Sequence, residues 1–297
     1  MKTIRTFLLL QFISLVAFAQ KEITVDETMK TMSKGSQNGY VTDIPQGKLK
    51  EVTSGWKKYV KRESKNNIEE ANSEIIMRGT TIPNISTNPI YVYARLLETD
   101  QGVMLTAFFS DDDSVFISTA KSEEKSIAIK KFLKDFVIQQ YKVAVYHEQD
   151  AEKKKLLKLE DDLDDLIKAN EKANKRINED ERKIDKNKDE IAANRKEQEA
   201  RAGEVANQKE VVRTLSTSPG EEKNLSEKKL KDLEKEKKKL EKKGENLHED
   251  VEDLQSDIRQ ERRLIEKNED AQKAKKEDIS SQKDVIRGVE KKLNGIK

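Results

Sequence analysis

The chain is 297 residues long, 34% hydrophobic and 39% charged, with 59 basic against 57 acidic residues. So little apolar content cannot fill one large core along the whole chain, which leaves either disorder or long helices with a narrow apolar seam. Cysteine is absent, which excludes disulfides, thiolate nucleophiles and cysteine-ligated metals.

The first 20 residues read MKTIRTFLLLQFISLVAFAQ. Lys2 and Arg5, an apolar run from Phe7, and Ala17-Phe18-Ala19 have the layout of a cleavable secretory signal over residues 1–19. The run from Phe7 to Ala19 falls short of the roughly 20 residues that a membrane-crossing helix needs. Cleavage after Ala19 leaves 57 basic and 57 acidic residues. A neutral balance argues against general nucleic-acid binding. No later segment reads as membrane-spanning, so no integral membrane segment is expected in the mature chain.

Residues 20–146 read as an α+β globular domain. GYVTDI (Gly39 to Ile44) is a short strand entered through the turn-rich KGSQNG. Leu49, Val52, Trp56, Tyr59 and Val60 then fall at helical spacing, so a helix is expected between Gln46 and Glu63, begun just after Pro45. SEIIMRGTTI, PIYVYARLLETD, VMLTAFFSD and SVFIST come next as strands, rich in β-branched and aromatic residues. Asp100-Gln101-Gly102 suits a tight hairpin between the second and third of these. From Ser122 the period changes: Ile129, Phe132, Leu133, Phe136, Val137, Gln140 and Tyr141 form a helical face. The expected fold is an antiparallel sheet of about five strands with two helices on one face. No proline or glycine lies between Val103 and Gly203, so the second helix should continue directly into the C-terminal half of the chain.

Residues 147–297 read as a coiled-coil hairpin with a break near 216–226. From Ala151 onward there are 39 basic and 38 acidic residues and no aromatic, a composition that alone would pass for disorder. The apolar residues decide against it. Leu156, Leu163, Ile177, Ile184, Ile191, Val205 and Val212 lie on one seven-residue grid. A second grid carries Leu230, Val251, Ile258, Ile265, Ile279, Ile286 and Leu293. Such a rhythm is the mark of paired helices. Polar residues also hold inner positions: Asp180, Asn187, Asn194, Gln198 and Arg201 on the first arm, and Glu261, Asn268, Gln272 and Lys275 on the second. That middle section is expected to be the loosest, or the part that meets a partner.

At the break, Ser218-Pro219-Gly220-Glu221 offers a cap, a proline at the first helical position and a glutamate at the third. A second helix start comes at Asn224-Leu225-Ser226-Glu227. Arms of nearly equal length favour an antiparallel fold-back that returns the C-terminus to the globular domain. If facing residues have numbers adding to 445, seven of 18 layers are apolar on both sides, against five for a sum of 438; a sum of 452 also gives seven but strands Leu230 and Leu233. The first register is preferred. It sets Arg201 against Gly244 and Asn170 against Lys275.

No catalytic, cofactor-binding or metal-ligating residue is assigned. His147 and His248 stand far apart in sequence, and the chain has neither an HExxH pair nor a phosphate-binding G-x-x-x-x-G-K-[ST] loop. Asp111-Asp112-Asp113 lacks the glycine and distal glutamate of a calcium loop and reads as an acidic turn. Lys235 to Gly244, KEKKKLEKKG, reads as a solvated face. Tyr91 and Tyr93 alternate on one strand face and read as cross-strand packing.

SKGSQNGYVTDIP (Ser33 to Pro45), the WKKYVK helix around Trp56 and NPIYVYAR (Asn88 to Arg95), set before a coiled coil, resemble an uncharacterised family of exported bacterial proteins with a small α+β head. That resemblance implies architecture and a Gram-negative envelope, periplasm or cell surface, and no activity. The expected function is that of a non-enzymatic structural or scaffolding protein acting through protein–protein contacts of stalk and head. The alternative is a periplasmic holdase-type chaperone that binds unfolded clients between helical arms. The expected partner is a protein of unknown identity, with self-association open, since two hairpins could pair into a four-helix bundle.

Overall fold

The computed structural model describes residues 22–61, 68–112, 114–215 and 220–297. The expected signal segment, and Ser218 and Pro219 of the expected break, lie outside the described residues. The chain divides into two compact units: one contains the described residues up to Lys155 together with Gln282–Lys297, the other is Leu156–Ser281.

The first unit carries six strands, β1 (Asp26–Met32), β2 (Gly35–Pro45), β3 (Ile68–Ala71), β4 (Glu74–Ile82), β5 (Ser86–Thr99) and β6 (Gly102–Ser110), and helix α1 (Leu49–Lys61). All pairings are antiparallel, in the order β1-β2-β6-β5-β4-β3. The expectation of about five strands is corrected in three places. β1 and β3 are edge strands whose sequences, DETMKTM and IEEA, are mostly polar or charged, as edges that must not recruit another chain tend to be. SVFIST is not a strand: Asp112 Oδ1 accepts the backbone N–H groups of Ser114 and Val115, each at 2.7 Å, and draws the chain into a turn. Only one bridge, Ser110 with Phe116, survives from it.

The β5–β6 hairpin turns where expected, with Thr99 opposite Gly102 across Asp100-Gln101. Gly102 has φ +145°, and a Cβ there would overlap the Ile44 carbonyl oxygen; only glycine fits.

One sheet face is covered by α1 and by the first turns of α2 (Glu123–Thr214). Val52, Trp56 and Val60 recur every fourth residue on α1 and are all buried. They meet Ile129, Phe132, Leu133, Phe136 and Val137 of α2, and Tyr40, Ile90, Val92, Leu105 and Phe109 of the sheet, in one core. Trp56 stands edge-on to Phe136, with ring centres 5.0 Å apart, an arrangement aromatic rings favour. The Tyr59 hydroxyl donates to the Phe132 carbonyl at 3.1 Å. Ser122, just before α2, caps it through its Oγ, which accepts the Lys125 N–H.

The helix-free face holds a second, smaller core of Met32, Ile76, Tyr93, Phe108 and Phe116. It exists because the sheet curls. β1 and β4 are separated by three strands, yet Ser33, just past β1, bonds Glu74 at the start of β4.

The C-terminal segment belongs to this unit as well. α3 (Glu221–Gly295) ends against α2, where Val289, Leu293 and Ile296 pack on Val145, Ile138 and Tyr141. Lys292 reaches Glu148 and the Gln46 side chain, both at 2.7 Å.

The second unit is two paired antiparallel helices, the Leu156–Thr214 part of α2 and the Glu221–Ser281 part of α3. Every inner position on the two seven-residue grids and their partners three residues on is buried or half-buried. No described helix is long and apolar enough to cross a membrane.

Candidate functional site

In the second unit, polar side chains are built into the seam between the helices. Gln198 Nε2 donates to the Leu240 carbonyl at 3.0 Å and to Asn194 Oδ1 at 2.6 Å. Gln272 Nε2 donates to the Leu166 carbonyl at 3.4 Å. Gln208 Nε2 donates to the Ser226 hydroxyl at 2.6 Å and to its carbonyl at 3.2 Å. Each glutamine packs its methylenes in the seam and sends its amide to the facing helix. This satisfies a group whose burial alone would cost a few kcal/mol.

These contacts set the register. In the facing pairs 198/240, 166/272 and 194/244 the residue numbers add to 438. The expected sum of 445 is therefore wrong by one heptad. Gly244 faces Asn194 and Gln198 rather than Arg201, and a Cβ on it would come within 2.9 Å of Asn194 Oδ1. Lys275 pairs with Asp162 at 3.1 Å rather than facing Asn170. A glutamine opposite a leucine, as at Gln198 and Leu240 or Gln272 and Leu166, holds the seam without forming a layer that is apolar on both sides.

Ion pairs flank the seam in the same register: Arg176–Glu261 and Arg262–Glu181 at 2.9 Å, Lys209–Glu234 at 3.0 Å and Arg201–Glu236 at 3.2 Å. Each has one side chain at least 47% exposed, so each contributes at most about 1 kcal/mol. They discriminate between alignments more than they stabilise. Two seam atoms, Asn170 Oδ1 and Asn194 Nδ2, are buried without a hydrogen-bond partner among the described residues. The polar middle is not an apolar gap: Ile177, Ile184 and Ile258 form a cluster there with Val251, Leu254 and Ile265. Asp180, Asn187 and Gln198 lie level with Ile258, Val251 and Leu240, and Glu261, Gln272 and Lys275 with Ile177, Leu166 and Leu163, whereas Arg201 is level with Lys237 and Asn170 with Asn268.

The head carries two polar constellations that the sequence pattern does not reveal. Glu74, with a fully buried side chain, receives Arg95 Nη2 at 2.8 Å, the Ser33 N–H at 3.0 Å and the Ser33 hydroxyl at 2.5 Å. Arg95 Nη1 also donates to the Thr31 carbonyl at 2.8 Å. This set ties the end of β1 across the curled sheet to β4 and β5. Its one signal in the sequence is the alternation Tyr91, Tyr93, Arg95 on a single strand face.

The second constellation centres on Glu27 of β1, which accepts the N–H and hydroxyl of Thr119, the Ser126 hydroxyl and the Asn38 amide. Burial pushes the Glu27 carboxyl up, but the Thr119 and Ser126 bonds and nearby Lys130 outweigh it and hold it below the usual range. Burial pushes the neighbouring Tyr40 hydroxyl up to about 12. Ser126 is 1% exposed, so it is closed to a substrate, and the cluster clamps β1 to the start of α2.

The remaining candidate residues stay apart. His147 is exposed, 3.8 Å from Glu51, and His248 is exposed on α3. Asp111 pairs with Lys125 at 2.6 Å and Asp112 closes its own turn, while Asp113 lies outside the described residues. No three His, Cys, Asp or Glu side chains converge as metal ligands among the described residues. Within Lys235 to Gly244, Lys235 pairs with Asp232 at 3.5 Å and Lys237 with Glu241 at 3.4 Å. Tyr93 is buried against Phe108 and Phe116, which makes it core.

No protein-family model matches the chain, and no curated protein matches it.

Proposed function

We propose that the protein is an exported, non-enzymatic scaffold of the Gram-negative envelope, in which the coiled-coil hairpin and the head engage other proteins. One observation carries this reading. A single uninterrupted helix, Glu123–Thr214, supplies Phe132 and Phe136 to the head core and Ile177 and Ile184 to the hairpin seam. Its return partner ends within the head unit, with Ile296 2% exposed against Val145. A chain that spends both its longest elements on a zipped, charge-balanced pair of helices presents surface, and surface is what a binding scaffold uses. The holdase alternative needs arms that part to receive a client. Cross-helix glutamine bonds and ion pairs close the seam instead and favour the scaffold.

The test uses the mature full-length chain. Mixed with an unfolded outer-membrane protein at equal molar ratio, it should leave the aggregation rate unchanged. Suppression at that ratio overturns the scaffold reading in favour of the chaperone. Export is checked separately: protein recovered from the periplasm should begin at Gln20, and retention of residues 1–19 would refute the signal assignment.

A further inference from the structure

We propose that the paired helices are a two-register device: α3 has a second stable alignment on α2, one heptad towards the tip, and its docked C-terminal segment holds it in the alignment seen here. Such a device goes beyond the scaffold role.

Three observations carry the proposal. The two alignments are nearly matched in different currencies. The sum of 438 has five layers apolar on both sides and is held by glutamine bonds to the facing helix. The sum of 445 has seven apolar layers and none of those bonds.

Each alignment also has its own helix start. Half of 438 falls at position 219, and α3 here begins at Glu221, three residues after Ser218. Half of 445 falls between 222 and 223, just before Asn224-Leu225-Ser226-Glu227, where asparagine and glutamate stand at capping-box spacing. In the present alignment that second start lies inside α3, and Ser226 stands in the seam, 8% exposed and bonded to Gln208. The second alignment puts Leu230 level with Leu215 and Leu233 level with Val212, and takes Ser226 out of the seam. It also brings Lys275 level with Asn170, a donor for the Oδ1 that is buried without a partner here.

The C-terminal segment is the latch. A one-heptad slide moves α3 about 10 Å along α2 and strips Val289 and Ile296 from Val145 and Lys292 from Glu148. While that dock holds, the present alignment holds.

The absence of cysteine lets register be read by disulfide trapping in the full-length chain. Val205→Cys with Leu233→Cys reports the present alignment, and Val205→Cys with Leu240→Cys reports the second. Val205→Cys with Leu247→Cys reports the next heptad out, the sum of 452, which strands Leu230 and Leu233, and so separates one defined second alignment from free sliding. Cα atoms more than about 7 Å apart cannot be bridged without backbone movement, so one heptad of offset separates the pairs. Under mild oxidation the 205/233 pair should close fastest. The 205/240 pair should also close fully within one chain, at least tenfold slower, while the 205/247 pair stays reduced. Lys292→Ala with Ile296→Ala should speed the 205/240 closure at least fivefold and leave 205/233 unchanged or slower. The proposal is overturned if 205/240 stays reduced, if 205/247 closes as fast as 205/240, or if the latch substitutions leave the 205/240 rate unchanged. Should a Val205 variant lose its helical circular dichroism, Ile191→Cys with Leu247→Cys or with Leu254→Cys makes the same comparison.

Discussion

Arg95→Ala should be the most damaging surface-reachable substitution in the head. The Glu74 side chain is fully buried and the Arg95 side chain is 32% exposed. Removing the guanidinium leaves a buried carboxylate with only the Ser33 N–H and hydroxyl as donors. Breaking a buried pair from one side costs about 3 kcal/mol or more. The reverse substitution is milder, because the Arg95 side chain is 32% exposed and keeps its bond to the Thr31 carbonyl; Glu74→Gln should cost about 1 kcal/mol. The only tryptophan, Trp56, is 1% exposed in the head core, so its fluorescence reports unfolding of the head, and far-ultraviolet circular dichroism tracks the long helices. With a denaturant slope of about 2 kcal/mol per molar urea, Arg95→Ala should lower the fluorescence midpoint by about 1.5 M and Glu74→Gln by about 0.5 M. A Glu74→Gln loss equal to or larger than the Arg95→Ala loss would show that burial of the carboxylate is not what makes this contact matter.

Two further substitutions test the head. Glu27 has its folded carboxyl held below the ordinary 4.5, so its contribution is fully present above that value and is lost as pH falls through the lowered folded value. Wild type and Glu27→Gln should therefore differ in urea midpoint near neutral pH and converge as the solution is acidified below pH 4.5; a difference independent of pH contradicts the assignment. Gly39 lies beneath the buried Phe108 ring, where a Cβ would come within 2.7 Å of the ring edge. Gly39→Ala should cost about 2 kcal/mol by overpacking, read from the same fluorescence midpoint, and a loss below 0.5 M urea would show that the ring has room to move.

Much of the head is legible in the sequence because its central strands and both helices carry their own periodicity. Ile90, Val92 and Ala94 alternate with Tyr91, Tyr93 and Arg95 on β5, and Val52, Trp56 and Val60 repeat at helical spacing. β1 and β3 are not legible, since their few apolar residues make no pattern: an edge strand needs backbone pairing on one side only. The curl of the sheet is hidden for a different reason. Nothing local to Ser33, Glu74 or Arg95 says that three residues so far apart in sequence will share one buried charge.

The hairpin shows where pattern reading stops. The seven-residue spacing identifies every inner position correctly, because burial depends on helix geometry and not on the chemistry of the side chain: Asn194 is 2% exposed and Ile184 6%. Alignment is another matter. Two antiparallel helices with the same repeat can be laid against each other at any whole number of heptads, and only interactions specific to one offset choose among them. Here those interactions are amide-to-carbonyl bonds and flanking ion pairs, each small. A choice made by several weak polar contacts against a larger apolar overlap one heptad away is a choice with a narrow margin. That margin is set where the polar residues stand: replacing Gln208 and Ser226 together by leucine would add two apolar layers to the present alignment, position 208 against Leu230 and position 226 against Val212, and should abolish the slow 205/240 crosslink while sparing 205/233.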